Sequence, residues 1–224
     1  MKTLIISDTH LGKAFSKQKY VVLKNLFEDA DRIIINGDFW DDGKTTFQKF
    51  IKSQWKGLLS TFEKKEVIYI LGNHDEETPK NAEKILHVKI LNQYKLKVGK
   101  KTLYITHGHN VVRYLNSFHS FVVKYKLLRK IMSKFISFII YITNKKFIKT
   151  FYQKMNNDMK AWAKQNLQKD EILVCGHSHL QELDISNQFI NLGANTTGLQ
   201  QHMLIEGTII TMYDNSKVKY RFKL

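Results

Sequence analysis

The sequence predicts an α/β fold, a β-sheet with helices on its faces. Two observations carry this. Short apolar runs rich in β-branched residues recur along the chain, and each stops abruptly at a polar cluster; between the early ones lie segments with helical hydrophobic spacing.

In order, "TLIIS" (3–7) runs into Asp8-Thr9-His10, and the residues after it place Val22, Leu23, Leu26, Phe27 and Ala30 on one helical face. "RIIIN" (32–36) runs into Gly37-Asp38, followed by a second face of Phe47, Phe50, Ile51, Trp55, Leu58, Leu59 and Phe62. "VIYIL" (67–71) runs into Gly72-Asn73-His74-Asp75. Thr78-Pro79 then reads as a helix start, with the hydroxyl as cap and the single proline in the first turn, where its missing N–H costs nothing. "LYIT" (103–106) runs into His107-Gly108-His109, and "EILVC" (171–175) into Gly176-His177-Ser178-His179. Beyond that, "QFINLGA", "TIITMYD" and "KVKYRFKL" read as short strands joined by polar turns such as Asp214-Asn215-Ser216, an antiparallel layer that finishes the domain.

Sixty-seven residues separate His109 from His177. Within them Phe118, Phe121, Val122, Tyr125, Leu128, Met132, Phe135, Ile136 and Ile139 recur at spacings of three and four, an amphipathic helical pattern. A second helix is expected from Phe147 through Met155, Met159 and Trp162. The reading is one domain over 1–224 with a helical, basic, amphipathic insertion at 111–170. The insertion is not a membrane span, which needs about 20 apolar residues; its longest apolar run, 135–142, contains a serine and is closed off by Lys134 and Lys145.

Composition narrows the class. The chain has 224 residues, 43% hydrophobic and 25% charged, with one proline, which excludes fibrous and linker-rich proteins. A lone cysteine, Cys175, rules out a disulfide framework, and the opening "MKTLIISDTH" is too short and too polar for a secretory leader, so a cytoplasmic location is expected. The net charge of +16 is uneven: no Asp or Glu lies between Lys84 and Asn157, so the whole excess falls in that stretch. Such a block suits an anionic partner: a phosphate-bearing substrate, an acidic membrane surface or nucleic acid. The alternative is a solvated lysine-rich surface, and the amphipathic segment can also serve as a lid.

In open α/β sheets ligands bind outside one edge of the strands. The polar clusters bring there Asp8, His10, Asp38, Asn73, His74, Asp75, His107, His109, His177 and His179, six of the nine histidines in the chain. Carboxylates, imidazoles and an amide without thiolate suit Mn²⁺, Fe²⁺ or Zn²⁺. Seven ligands exceed one tetrahedral ion and fit two ions that share a carboxylate. His87, His119 and His202 read as structural or surface residues.

The motifs D-T-H, G-D, G-N-H-D, H-G-H and G-H-S-H, in this order over residues 3–195, resemble the calcineurin-like metallophosphoesterase family. The resemblance implies a sandwich of β-sheets flanked by helices, with a helical insertion between the fourth and fifth motifs. It implies one divalent metal held by Asp8, His10, Asp38 and His179 and a second held by Asp38, Asn73, His107 and His177, with Asp38 bridging. His74 corresponds to the catalytic histidine and Asp75 to the acid that orients it. His109 either lines the first metal's side or is a loop histidine. The implied reaction is hydrolysis of a phosphoester or phosphoanhydride by a water that bridges two cations roughly 3.5–4 Å apart. "GDFWDD" (37–42) and the helical insertion are similar to the UDP-2,3-diacylglucosamine pyrophosphatase branch, which implies a lipid-linked nucleotide diphosphate substrate, lipid A biosynthesis and a peripheral place on the inner membrane face. Many members of that branch have arginine where this chain has His74, and a basic residue and proline where it has Leu180-Gln181. The alternative on the same scaffold is a nuclease or nucleotide phosphodiesterase.

Overall fold

The computed structural model describes residues 1–112, 146–196 and 198–224. The expected helix over 118–139, its membrane-facing side and His119 lie outside the described residues.

Strands β1 (Lys2–Ile6), β2 (Arg32–Asn36) and β3 (Glu66–Ile70) run parallel and adjacent, with β4 (Lys89–Leu91) beyond β3. On the other side of β1 lie β10 (His202–Glu206), β11 (Ile209–Asp214) and β12 (Lys217–Lys223), all antiparallel, which completes a seven-stranded sheet. A second, five-stranded sheet has the order β5 (Tyr94–Val98), β6 (Lys101–Ile105), β7 (Glu171–Cys175), β9 (Phe189–Asn191), β8 (Glu182–Asp184).

The uninterrupted apolar runs are explained by burial on both faces. Leu4, Ile6, Ile33, Ile35, Val67 and Tyr69 point from the first sheet toward helices α1 (Lys17–Asp29), α2 (Phe47–Ile51) and α3 (Lys56–Leu59), meeting Leu23, Phe27, Phe50 and Leu58. Their neighbours Ile5, Ile34, Ile68 and Ile70 point the other way, against Leu103, Ile105, Ile172 and Val174 of the second sheet. Leu173 and Cys175 face outward from that sheet and are covered by Met155, Met159 and Ala163 of α5 (Lys146–Asn166). The layers are therefore helix, sheet, sheet, helix. Each fully buried aliphatic side chain stabilises this stack by about 1.5–3 kcal/mol.

Several expectations are corrected. The five motif-bearing strands do not share one sheet edge. β1, β2 and β3 belong to the first sheet and β6 and β7 to the second, because β5 packs Leu96 and Val98 into the core between the sheets and pairs with β6, not with β4. The run around Phe189 does not join a closing antiparallel layer; β9 pairs parallel with β7, while β10, unread from sequence, bonds the β11–β12 hairpin to β1. The Asp214-Asn215-Ser216 turn stands as expected. Asn215 and Ser216 both have positive φ (48° and 65°), the type I′ conformation that matches strand twist. Thr78-Pro79 does not start a helix. The Thr78 hydroxyl donates to the Asp75 carbonyl (2.6 Å) and accepts from the Trp40 indole (2.9 Å), and helix α4 begins only at Ala82 (Ala82–Leu86). The single face drawn through 47–62 breaks into α2 and α3 because the Ser53 hydroxyl caps at Phe50 and Trp55, yet Phe47, Phe50, Trp55, Leu58, Leu59 and Phe62 are all buried.

Candidate active site

The C-terminal ends of β1, β2 and β3 meet those of β6 and β7 at one end of the stack, and the five motifs sit there. Backbone geometry marks the place. Asp8, His10, Asp38, His177 and His179, five of the seven expected metal ligands, have φ between 47° and 63°. Such conformations in residues other than glycine survive only where the surroundings over-determine them, and they cluster at functional sites.

The side chains converge. His179 Nε2 lies 3.0 Å from Asp8 Oδ1 and 3.3 Å from His10 Nε2, and His10 Nε2 is 3.6 Å from Asp38 Oδ2. On the other side His107 Nε2 is 3.4 Å from Asp38 Oδ2 and 4.0 Å from Asp8 Oδ1, and the rings of His107 and His177 are 5.3 Å apart. Asp38 thus stands between the two groups. Asn73 is buried in the loop after β3, and the next residue's N–H, that of His74, donates to Asp38 Oδ1 (2.8 Å). His109 is buried behind His107 (ring separation 5.4 Å), with Nε2 3.4 Å from Glu76 Oε1.

The donor set fits divalent cations. Asp8 Oδ1 and the Nε2 atoms of His107 and His177 are buried without a hydrogen-bond partner among the described residues, an arrangement that costs free energy unless a ligand fills it. His107 is already set for ligation. Its Nδ1–H donates to the Asn36 carbonyl (2.9 Å), which fixes the ring with Nε2 turned toward the two aspartates.

Electrostatics follow from this crowding. Burial opposes ionisation of Asp8, but His179 and His107 hold it down to about 2; burial likewise opposes Asp38, yet His107, His74 and His10 keep it well below the carboxylate range. Burial pushes His10 and His177 down. His107, despite burial, is carried up to about 10 by Asp38 and Asp8. The two aspartates therefore favour a proton on His107 in the metal-free protein. In the metal-free protein this raised group adds stability that is complete below 6.5 and lost as pH rises through about 10. Cation uptake must expel the proton, so apparent Mn²⁺ affinity is expected to rise between about pH 7 and 9, by up to tenfold per unit. Calorimetry in buffers of different ionisation enthalpy measures the release; a flat affinity with no proton released would remove His107 from the ligand set.

Sequence reasoning missed Asp41. This buried acid, three residues after Asp38, faces His10 Nδ1 (3.4 Å) and His74 Nδ1 (3.5 Å) and takes a 2.8 Å ion pair from Lys44. The second acid of "GDFWDD" was its only signal. Asp75, expected beside the His74 ring, turns its carboxylate to Gly72 N–H (2.6 Å), Phe39 N–H (2.9 Å) and the Tyr69 hydroxyl, tying the two loops together. Burial, then Asp38, raises it to about 7. Asp41 counteracts burial at His74 and raises that imidazole. Of the remaining histidines, His202 is buried and stacks on Tyr213, and His87 is an exposed left-handed helix end near Glu63.

Two facing β-sheets bring carboxylates and imidazoles together at their strand ends, a donor set suited to divalent cations. A family model of the calcineurin-like phosphoesterase superfamily domain matches residues 1–206, and the chain belongs to that family. Among solved structures it is similar to Yfce, a phosphoesterase from E. coli, with 15% identity, coverage of 100% of this chain and 99% of that one, and a TM-score of 0.52. It is also similar to Vacuolar Protein Sorting 29 from Cryptosporidium parvum, with 15% identity, coverage of 100% and 98%, and a TM-score of 0.52. At these identities the likeness is one of fold. No curated protein matches the chain by sequence.

Proposed function

We propose that the chain hydrolyses a phosphoester or phosphoanhydride with two divalent cations, Mn²⁺ first among Mn²⁺, Fe²⁺ and Zn²⁺. Asp8, His10, Asp38 and His179 hold one, and Asp38, Asn73, His107 and His177 the other. The observation that supports this most directly is the convergence of Asp8, Asp38 and His107 on one side and Asp8, His10 and His179 on the other, the donor atoms of each set lying within 4.8 Å of one another. When bound, such cations clamp phosphoryl oxygens and acidify a water nucleophile. The protein's own groups do the rest. His107 and His177 present neutral Nε2 atoms, and the half-buried His74 at the rim carries a proton for the leaving oxygen. Asp41 orients His74 and favours its charged form, while Asp75 braces the His74 loop against the one that carries Asp38.

The finer substrate reading is a lipid-linked nucleoside diphosphate such as UDP-2,3-diacylglucosamine. It rests on "GDFWDD" and on the basic amphipathic stretch after His109, which also suits contact with an anionic membrane. No helix among the described residues is long and apolar enough to cross a membrane. The test is a panel with Mn²⁺: an aryl phosphate ester, UDP-diacylglucosamine, cyclic and monoester phosphates and dinucleotides. The aryl ester and UDP-diacylglucosamine are expected to turn over, and His177→Ala to destroy both activities. Turnover by His177→Ala at the wild-type rate would overturn the site; hydrolysis of dinucleotides alone would replace the lipid-linked substrate with a nucleotide one.

A further inference from the structure

We propose that Asn156, which lies on α5 outside the ligand set, is a positioning residue that holds His177 and His179 ready for their cations. The inference rests on the two-cation reading above.

The loop that carries these histidines is unusual in two ways. Both have left-handed backbone, φ 63° at His177 and 60° at His179, and nothing in an imidazole side chain favours that conformation strongly enough to keep it. Something must grip the residues on either side of them. Those residues are Gly176, Ser178 and Leu180, and each is gripped.

The grip comes from two buried amides. The Asn156 side chain is fully buried. Its Nδ2 donates to the Leu180 carbonyl (3.1 Å) and to Glu182 Oε2 (2.8 Å), and its Oδ1 accepts from the Ser178 hydroxyl (2.6 Å) and from Asn191 Nδ2 (3.0 Å). That uses every donor and lone pair the carboxamide has. Asn191 Nδ2 in turn donates to the Gly176 carbonyl (2.8 Å). The chain therefore clamps positions 176, 178 and 180 and leaves only the two histidines between them to project into the cradle.

The identity of residue 156 is itself informative. It sits beside Met155, one turn before Met159 and two turns before Ala163, and these three pack on Leu173, Cys175 and Phe189. The packing of α5 alone calls for an aliphatic residue there. A carboxamide at such a depth is tolerable only when fully bonded, and its bonds run to the loop, to Glu182 on β8 and to Asn191 on β9. With the amide gone, the loop can relax toward right-handed backbone and carry both imidazoles out of line.

The test titrates the metal-stripped full chain with Mn²⁺ by calorimetry and records electron paramagnetic resonance of the loaded protein. Asn156→Ala, Ser178→Ala and the double variant are compared with exposed Lys164→Ala as control. Asn156→Ala is expected to keep the wild-type circular dichroism, to lose Mn²⁺ affinity ~10-fold or more, and to show isolated-ion hyperfine lines in place of an exchange-coupled pair. The double variant is expected to lose no more than the weaker single one, because both cuts sever one bracket. Wild-type affinity and a coupled spectrum in folded Asn156→Ala would overturn the proposal, as would losses that simply add. If Asn156→Ala does not fold, Ser178→Ala, which deletes one oxygen of the same bracket, decides by the same criteria. A wild-type chain that takes up no Mn²⁺ overturns the two-cation reading and this inference with it; tight wild-type binding with unchanged variants overturns this inference alone.

Discussion

Asp38→Asn is expected to leave a folded protein that has lost hydrolytic activity by about a thousandfold or more. The substitution preserves shape and removes one charge. That charge is buried between two groups of donors: Oδ2 lies 3.4 Å from His107 Nε2 and 3.6 Å from His10 Nε2, while Oδ1 accepts the His74 N–H at 2.8 Å. An asparagine oxygen can still accept from His74, but its other atom is an amide donor that faces two imidazole nitrogens. A shared carboxylate is what allows two cations to sit close together, and their charge stabilisation of a phosphoryl transition state is worth several kcal/mol. A loss of about 4 kcal/mol corresponds to roughly a thousandfold. Steady-state turnover of an aryl phosphate ester, metal content by elemental analysis and circular dichroism are measured together. Near-wild-type turnover by a folded Asp38→Asn protein that holds two cations would exclude Asp38 as the bridge.

Gly176→Ala is expected to do comparable damage with a single methyl group. A Cβ at this position would stand 2.0 Å from Ser7 Oγ and 2.3 Å from Asp8 Oδ2, closer than real Cβ contacts come. Neither neighbour can retreat. The Ser7 hydroxyl is held between Asp8 Oδ2 and the Asn36 carbonyl (2.7 Å), with one proton for the two acceptors, and Asp8 Oδ2 also receives the His177 N–H (3.1 Å). Overpacking of this kind costs about 1–3 kcal/mol, a fall in Tm of roughly 2–12 °C for a chain of this size. The larger effect is on the site, because the displaced atom is a carboxylate of the cradle. Mn²⁺ binding should be lost before folding is. An alanine variant that binds Mn²⁺ as the wild type does would show that the close approach is not needed. Gly72 is constrained in the same way, since a Cβ there would meet Asp38 Oδ1 at 2.2 Å. The glycines ahead of Asn73 and His177 are thus part of the cradle: an aspartate lies where their side chains would be.

Much of the candidate site could be read from sequence because each motif is local. An apolar run long enough for one strand, followed at once by Asp, His or Asn, says that the polar group stands at a strand end. Asp41 was harder to place, since an acid among other acids gives no hint of its direction; its loop aims it at the His10 and His74 rings. Asp75 was assigned to the wrong neighbour for the complementary reason. Adjacent in sequence to His74, it points the other way, into the Gly72 and Phe39 amides. Nothing in the sequence sets Asn156 apart from the other polar residues of its amphipathic helix.

Taken alone, the chain's order of residues determined that the five motif-bearing segments are strands, which ends carry donors, that the donors suit Mn²⁺, Fe²⁺ or Zn²⁺ and that excess positive charge lies after Glu83. Those properties depend on spacing and on chemical type, which are one-dimensional. Tertiary structure decided that the motif strands divide between two sheets, that Asp38 stands between two donor groups, and that Asp41 rather than Asp75 faces His74. Such facts turn on the direction of side chains a few ångströms apart in space and far apart along the chain, and a direction is set by what packs behind it.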